Sequence, residues 1–261
     1  MQIALLQYPV AWADKAANLR FFGERLSEIS GKADVAVLPE MFTTGFSTDH
    51  PELADPMDGE VVGSLMTWAR EYDLAIAGSF MCRVGDKLVN RGFFCKPDGS
   101  ADWIDKRHLY AHGGEAAFFS PGKERVISEY KGVRFCLQVC YDLRFPVWVR
   151  NRTGYDYDIL IYTAAWPEIR IGAWDILLRA RAIENQCYLV GVNCVGDDGL
   201  GLHYSGHSVA LDTRMQDLAG FADNEAATRI VDFNIPALQH FREVLPLWKD
   251  ADPFELKEEW E

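Results

Sequence analysis

Short, fully apolar runs alternate with amphipathic stretches along most of this 261-residue chain. The run at residues 2–8 predicts a buried strand, and Asp14 is placed to cap the amphipathic helix that follows it. Strands that are apolar throughout are covered on both faces of their sheet, so the intervening helices must supply one of the covers. The pattern therefore predicts an α/β protein. Further strands are predicted at residues 35–38, 74–80, 88–95, 101–105, 133–140, 158–163, 188–195, 208–212 and 227–233, and further helices at 61–72 and 174–185.

The order of these elements predicts how the layers are arranged. Strand and helix alternate at the start of the chain and again at residues 158–195, whereas the middle is rich in strands. We therefore expect two sheets packed together, with helices outside. No repeat or flexible linker divides the chain, which predicts a single domain over residues 1–235 and a tail over 236–261. The apolar side chains of this tail are expected to pack on the body or on a partner subunit. They are Phe241, Leu245, Leu247, Trp248, Phe254 and Trp260.

Charge and cysteine content exclude several classes of function. The chain carries 26 Lys and Arg against 39 Asp and Glu, a formal net charge of −13. A globule of this charge repels phosphate backbones and anionic lipid, so neither nucleic acid nor a membrane is expected as its main partner. No apolar run approaches the ~20 residues that span a bilayer. The N-terminus lacks the positive leading region of a signal peptide, and the six cysteines include no Cys-x-x-Cys pair, which favours a cytoplasmic setting with reduced thiols.

Three reactive side chains follow directly on predicted strands. Glu40 ends the run Val-Ala-Val-Leu-Pro-Glu, Lys106 ends Trp-Ile-Asp-Lys, and Cys140 ends Phe-Cys-Leu-Gln-Val-Cys. Taken singly, such residues are more often solvated carboxylates, surface amines or passive buried thiols. Because binding crevices in open α/β sheets lie at the carboxyl ends of strands, these three groups could converge on one site. Asp142 and Arg144, two apart in the turn after Cys140, are expected to fix that turn through polar contacts.

The sequence around these three residues resembles the nitrilase, or carbon–nitrogen hydrolase, superfamily. The matching segments are Leu-Pro-Glu-Met-Phe at residues 38–42, Asp-Lys-Arg-His-Leu-Tyr at 105–110 and Cys-Tyr-Asp-Leu-Arg-Phe-Pro at 140–146. Two downstream segments also match, Ala-Ala-Trp-Pro at 164–167 and Arg-Ala-Ile-Glu-Asn-Gln at 181–186. The resemblance implies a four-layer αββα sandwich of two mixed sheets with helices outside. It also implies a hydrolase that uses neither a cofactor nor a metal.

The resemblance further implies a role for each reactive group. Cys140 is expected to be the nucleophile, and Glu40 the general base that accepts its proton. Lys106, together with the backbone N–H of Tyr141, is expected to stabilise the tetrahedral oxyanion. The family's second glutamate, which orients the lysine, maps onto Glu115. An amide needs such a set, because its carbon is a poor electrophile and ammonia leaves only when it is protonated.

The Met-Phe-Thr-Thr-Gly-Phe and Cys-Tyr-Asp-Leu-Arg-Phe-Pro segments look most like the omega-amidase branch of the superfamily. This likeness implies hydrolysis of small omega-amides of oxo dicarboxylic acids, such as 2-oxoglutaramate, to the dicarboxylate and ammonia. Arg170 is a candidate to bind the distal carboxylate of such a substrate. Tyr141, Trp166 and Phe42 are further candidates for contact with the substrate. Family members usually dimerise through helices and the C-terminal tail, so a homodimer is expected.

Several other functions stay open on the sequence alone. The same machinery could act on an N-carbamoyl compound or on a simple aliphatic amide. The fold could also serve a binding protein without catalysis. A redox pair of Cys136 and Cys140 is disfavoured, because four residues of extended strand place their Cα atoms roughly 13 Å apart, beyond the reach of a disulfide. A zinc site is disfavoured because the chain contains no His-Glu-x-x-His pattern.

Overall fold

The computed structural model describes residues 1–152 and 154–256. The strands in these ranges are β1 (Gln2–Gln7), β2 (Val35–Val37), β3 (Asp55–Pro56), β4 (Ala75–Val84), β5 (Lys87–Cys95), β6 (Ala101–Asp105), β7 (Ile127–Tyr130), β8 (Val133–Val139), β9 (Ile159–Ala164), β10 (Tyr188–Asn193), β11 (Val195–Asp197), β12 (His203–Ser205), β13 (Val209–Leu211) and β14 (Ala227–Asp232). The helices are α1 (Lys15–Glu28), α2 (Glu60–Glu71), α3 (Glu115–Phe118), α4 (Pro146–Val149), α5 (Ile171–Asn185) and α6 (Ile235–Val244). Short 3-10 turns lie at Pro51–Leu53, Ala111–Gly113, Cys140–Arg144, Glu168–Arg170 and Leu247–Asp250.

The strands form two large mixed sheets and one small ribbon. The larger sheet has the order β14-β1-β2-β4-β5-β6, with β3 also paired to β4, and the smaller sheet has the order β13-β10-β9-β8-β7. In both sheets the central pairs are parallel, β1-β2-β4 in one and β8-β9-β10 in the other. Antiparallel strands complete the edges. Because the central strands of each sheet are parallel, their carboxyl ends lie at the same edge of the sheet.

Three apolar clusters account for the layers of the fold. The inner cluster joins side chains of the larger sheet, such as Leu5 and Val37, to side chains of the smaller sheet, such as Phe135 and Ile161. A second cluster packs the outer face of the larger sheet under α1 and α2. A third cluster packs the outer face of the smaller sheet under α5. The layers therefore run helix, sheet, sheet, helix, which confirms the four-layer αββα sandwich.

Side-chain caps explain where α1 and α6 begin. The Asp14 side chain accepts a hydrogen bond of 3.0 Å from the Ala17 N–H and starts α1, as the sequence predicts. The tail contains a helix that the sequence did not predict, since α6 is capped by Asn234 and anchored by Leu238 in the inner core. The weak periodicity of this segment concealed the helix. Trp260 lies outside the described residues. None of the helices in the described ranges is long and apolar enough to cross a bilayer.

Candidate active site

The ends of β2, β6 and β8 and the start of α3 bring four reactive side chains together. Lys106 follows β6, and its Nζ lies 2.8 Å from Glu40 Oε1, which follows β2. The same ammonium lies 2.8 Å from Glu115 Oε2, at the start of α3. All three side chains are completely removed from solvent. Cys140 follows β8 and lines the same cavity as Lys106. The four residues that the resemblance selected therefore meet at one place.

Asn90 on β5 connects the two glutamates, and the sequence reasoning missed it. Its Nδ2 donates to Glu40 Oε1 at 2.8 Å and to Glu115 Oε1 at 3.0 Å. The second oxygen of Glu40 accepts the Ala165 N–H at 2.9 Å, and Glu115 Oε2 accepts the Tyr110 N–H at 2.6 Å. The signal was the amide of Asn90 inside the predicted strand 88–95, where the only other polar side chain is Arg91, because a fully buried amide requires hydrogen-bond partners.

Cys140 opens a sharp turn at the end of β8. Its φ is +45°, in the left-handed region that non-glycine residues seldom adopt, at a cost of order 1–3 kcal/mol. The Sγ atom lies 3.9 Å from the Ala165 carbonyl oxygen. Asp142 makes the contacts expected of it, since its carboxylate accepts the Val139 N–H at 3.2 Å. Cys140 therefore leaves β8 in a strained conformation, within a turn that the hydrogen bond between Val139 and Asp142 stabilises.

Burial and charge set the protonation of these groups. Burial raises the pKa of the Cys140 thiol well above its ordinary value; the Glu40 carboxylate raises it further, and the Lys106 ammonium only partly opposes them. Burial alone would lower the pKa of Lys106, but the carboxylates of Glu115 and Glu40 outweigh it and raise that pKa. Burial also raises the pKa of Glu115 against the opposing charge of Lys106. At neutral pH the site therefore holds a protonated thiol beside a permanent ammonium.

A cavity of about 80 Å³ leads to Cys140 and Lys106. Of the residues predicted to contact the substrate, Tyr141, Trp166 and Arg170 line it. Phe42 does not, and that prediction is corrected. Beyond the turn at Met41, the Phe42 ring is fully buried on the outer face of the larger sheet, where it packs edge-on against neighbouring phenylalanines. The remaining lining residues are Phe46, Tyr110, Gly113, Arg144, Ala165, Pro167, Asp198, Leu200, Leu202 and Tyr204.

Two half-buried guanidinium groups lie over aromatic side chains that line this cavity. The Arg144 Cζ lies 4.9 Å from the centre of the Trp166 ring, and the Arg170 Cζ lies 5.4 Å from the centre of the Tyr110 ring. Within residues 1–152 and 154–256, neither guanidinium makes an ion pair or a hydrogen bond. The expectation that the Arg144 side chain fixes the turn is therefore wrong, because this side chain extends along the cavity wall instead. Both cations are available to an anionic ligand.

A larger groove of about 880 Å³ lies elsewhere and contains none of the reactive residues. Arg125, Arg134 and Arg152 line it, and each is paired with Asp156 or Asp158. This groove is larger, but it contains none of the reactive residues and is therefore not the active site. The small cavity above Cys140 is the site in which reactive and substrate-binding groups coincide.

A comparison with known families fits this arrangement of groups. The family model described as carbon-nitrogen hydrolase matches residues 2–243, which is nearly all of the chain. The chain belongs to the carbon–nitrogen hydrolase family. The matched range includes all four residues of the buried cluster and both cavity arginines. The αββα fold of this chain and the carboxyl ends of its strands account for where the site lies.

Relatives within the carbon–nitrogen hydrolase family are similar over almost their whole length. The omega-amidase YafV of Yersinia enterocolitica is 45% identical over 254 residues, covering 97% of this chain and 98% of the relative. The 2-oxoglutaramate amidase of Bacillus subtilis is 32% identical, covering 95% of this chain and 96% of the relative. Among solved structures, XC1258 from Xanthomonas campestris, a CN-hydrolase superfamily protein with an arsenic adduct in its active site, matches with a TM-score of 0.96 at 39% identity. That match covers 98% of this chain and 99% of the other.

Proposed function

We propose that this chain is an amidase that hydrolyses small omega-amides of oxo dicarboxylic acids, such as 2-oxoglutaramate, through a thioester on Cys140. The observation that carries the proposal is the buried contact of Lys106 with Glu40 and Glu115 beside the Cys140 thiol, at the end of a cavity with two available guanidinium groups. The relatives named as omega-amidase and 2-oxoglutaramate amidase support the substrate class.

In the first half of the reaction, Cys140 attacks the amide carbon. Because burial keeps the thiol protonated, attack requires a base, and Glu40 takes the proton from Sγ. The amide oxygen becomes an oxyanion, which the Lys106 ammonium and the Tyr141 N–H stabilise. Glu40 then gives the proton to the amide nitrogen, the C–N bond breaks, and ammonia leaves. The acyl group stays on sulfur as a thioester.

In the second half, water replaces the ammonia and cleaves the thioester. Glu40 accepts a proton from the water, and the resulting hydroxide attacks the thioester carbon. The same two donors stabilise the second oxyanion, the C–S bond breaks, and the proton returns to Sγ. Glu115 holds the ammonium in position from the other side throughout, because its two oxygens lie 3.1 and 2.8 Å from Lys106 Nζ. It is a positioning residue.

The distal end of the substrate would meet the two cavity arginines. A guanidinium group binds a carboxylate through paired, charge-assisted hydrogen bonds. Arg170 and Arg144 both line the cavity, where their guanidinium groups lie over the rings of Tyr110 and Trp166, respectively. An omega-amide of a dicarboxylic acid carries its carboxylate at the end remote from the scissile bond. The presence of two cationic side chains in the same cavity as the thiol supports this substrate class over uncharged amides.

Substrate comparison tests the proposal directly. We expect ammonia release from 2-oxoglutaramate to have a kcat/KM at least about tenfold above that for an N-carbamoyl amino acid or a short aliphatic amide, because a bound carboxylate contributes binding that the neutral amides lack. Ammonia is measured by a coupled assay at matched substrate concentrations. If either alternative class were the better substrate, the enzyme would be an amidase or carbamoylase of another specificity.

Two cavity variants provide the control for this comparison. Arg144→Gln and Arg170→Gln should each raise KM for 2-oxoglutaramate by roughly 10-fold to 100-fold, the effect of losing one charge-assisted hydrogen bond. The same variants should leave the kcat/KM for a short neutral amide within about threefold of the wild type. Equal losses on both substrates would contradict a carboxylate-binding role for these arginines.

We also propose that the protein is a cytoplasmic homodimer, made of one domain at residues 1–235 and a tail at 236–261. Ile169, Ile176 and Ile183 recur every seven residues along α5 and its preceding turn, and they are 81%, 70% and 55% exposed. Val244 and Leu245 at the end of α6 are also exposed. Such an apolar stripe supports a self-complementary interface. The six cysteines are all free, which fits a reducing compartment.

Sedimentation equilibrium tests the interface. Ile176→Asp should convert a dimer to a monomer at micromolar concentration, because it places a charge in the centre of the apolar stripe. Val84→Asp is the control, since Val84 is an exposed apolar residue on β4 of the larger sheet, whereas α5 packs on the smaller sheet. It should leave the molecular mass unchanged. A wild-type protein that sediments as a monomer would overturn the dimer proposal.

A further inference from the structure

Lys106 and Cys140 belong to different sheets, so something must fix the distance between them. Lys106 follows β6 of the larger sheet, and Cys140 follows β8 of the smaller one. The inner core between the two sheets is apolar and therefore non-directional, and the hydrogen bond that joins the sheets at Glu40 runs to Ala165 and not to the Cys140 turn. The backbone of Lys106 is bonded to Asn90 and Gly122, and these contacts do not reach the Cys140 turn. An oxyanion donor, however, must be placed to within a few tenths of an ångström.

One buried carboxylate joins the two segments directly. Asp142 Oδ1 accepts the backbone N–H of His108 at 2.9 Å and the Nδ1–H of its ring at 2.8 Å. The other oxygen accepts the N–H of Val139 at 3.2 Å. His108 is two residues beyond Lys106, and Val139 immediately precedes Cys140. The Asp142 side chain is only 3% exposed, so water competes little for these bonds.

The His108 ring is itself held in place. It stacks on the Phe145 ring with 3.8 Å between ring centres and an angle of 13° between planes, and the Trp148 ring meets it edge-on. Phe145 follows directly on the 3-10 turn that Cys140 begins. The His108 ring therefore contacts the Cys140 turn in two ways, by stacking on Phe145 and by a hydrogen bond to Asp142. The two contacts can be separated by mutation.

We infer that His108 and Asp142 are positioning residues that set the placement of Lys106 relative to Cys140. The inference rests on the proposed roles of those two residues, but not on the identity of the substrate. His108 touches neither substrate nor the reacting atoms in this role. It acts by linking the Lys106 segment of one sheet to the Cys140 turn of the other.

Two substitutions of His108 separate hydrogen bonding from packing. In His108→Asn, the amide nitrogen takes the place of Nδ1 and keeps the donor to Asp142, but the stacked ring is lost. In His108→Phe, the stacked ring is kept and the donor is lost. We expect His108→Phe to lower kcat by about 10-fold to 100-fold with little change in KM, since small misplacements of catalytic groups cost this much. His108→Asn should retain kcat within about threefold.

The reactivity of Cys140 provides a second measurement that needs no substrate. The rate of its alkylation by iodoacetamide, followed by mass spectrometry of the Cys140 peptide, is measured against pH. Lys106 lowers the pKa of the thiol and Glu40 raises it. Displacement of the ammonium in His108→Phe should therefore move the profile to higher pH by about one unit. His108→Asn should keep the wild-type profile.

A matched pair elsewhere provides the control. His207 Nδ1 also lies 3.1 Å from an aspartate, Asp175, but His207 does not line the cavity, so His207→Phe should change neither kcat nor the alkylation profile. The inference is overturned if His108→Phe keeps the wild-type kcat and profile. It is equally overturned if His108→Asn is the more damaged variant, or if both variants lose thermal stability while the alkylation profile stays fixed. Inactivity of the wild type on 2-oxoglutaramate would refute the proposed substrate and leave the alkylation result intact.

Discussion

Cys140→Ala is expected to lower the rate of ammonia release by on the order of 10⁴-fold to 10⁶-fold, to the level of background hydrolysis. Without the sulfur no thioester can form, so neither the acylation nor the hydrolysis of the acyl-enzyme can take place. Mass spectrometry of wild-type protein quenched during turnover should show an acyl adduct on the Cys140 peptide. The adduct should be absent from the variant.

Cys136→Ala is the matched control for this experiment. Cys136 lies on β8, four residues before Cys140, and is completely buried. Burial raises its pKa to about 12, so it remains an unreactive thiol. This variant should keep its activity within about threefold and should acquire the adduct normally. If Cys140→Ala retained a tenth of the wild-type rate, the thioester mechanism would be wrong, and loss of activity in both variants would instead favour a paired role for the two thiols.

Lys106→Met is expected to lower kcat by about 10²-fold to 10³-fold, because it removes the ammonium that stabilises both oxyanions. It should also lower the free energy of unfolding by about 3–5 kcal/mol, because two buried carboxylates are left without their cation. Methionine fills much of the volume of the lysine stem, which limits the contribution of a cavity. Steady-state kinetics and urea unfolding measure the two effects separately.

The pH dependence of this stability loss has a definite sign. Burial already raises the pKa of Glu115 in the folded protein above its value in the unfolded chain. Glu115 therefore contributes fully to stability at a pH below its pKa in the unfolded chain, and this contribution is lost as the pH rises through its pKa in the folded protein. Removing the Lys106 ammonium raises the folded pKa further. The deficit of Lys106→Met relative to the wild type should therefore be larger at pH 8 than at pH 5. A deficit independent of pH would show that the carboxylates are not responsible.

A double variant separates charge from catalysis. Lys106→Met/Glu115→Gln removes one of the two stranded carboxylates and should recover part of the lost stability at pH 8. It should recover none of the activity, since the oxyanion donor is still missing. Recovery of activity in the double variant, or a near-normal rate in Lys106→Met alone, would contradict the role proposed for the lysine.

Much of the architecture could be predicted from the sequence, because buried parallel strands have a strong local signature. The strand at Ala101–Asp105 and the cap at Asp14 agree with the prediction to the residue. Helix α6 was missed, because its stability comes from Leu238 in the inner core and from hydrogen bonds of Arg242 to distant groups, and no local pattern encodes such contacts. The prediction that Phe42 contacts the substrate was wrong for a related reason. Neighbouring residues in a turn face different sides of a sheet, and the sequence alone does not show which side Phe42 faces.

By itself, the sequence determined the alternation of strands and helices, the sheets covered on both faces, and the reactive residues at three strand ends. These features follow from local periodicity and from motifs, which depend on near neighbours in the chain. Only the tertiary structure decided that Asn90 joins the two glutamates, that Arg144 extends along the cavity wall, and that Asp142 links His108 to the Cys140 turn. Such contacts join residues from different strands and loops, and their geometry is fixed by how the two sheets pack.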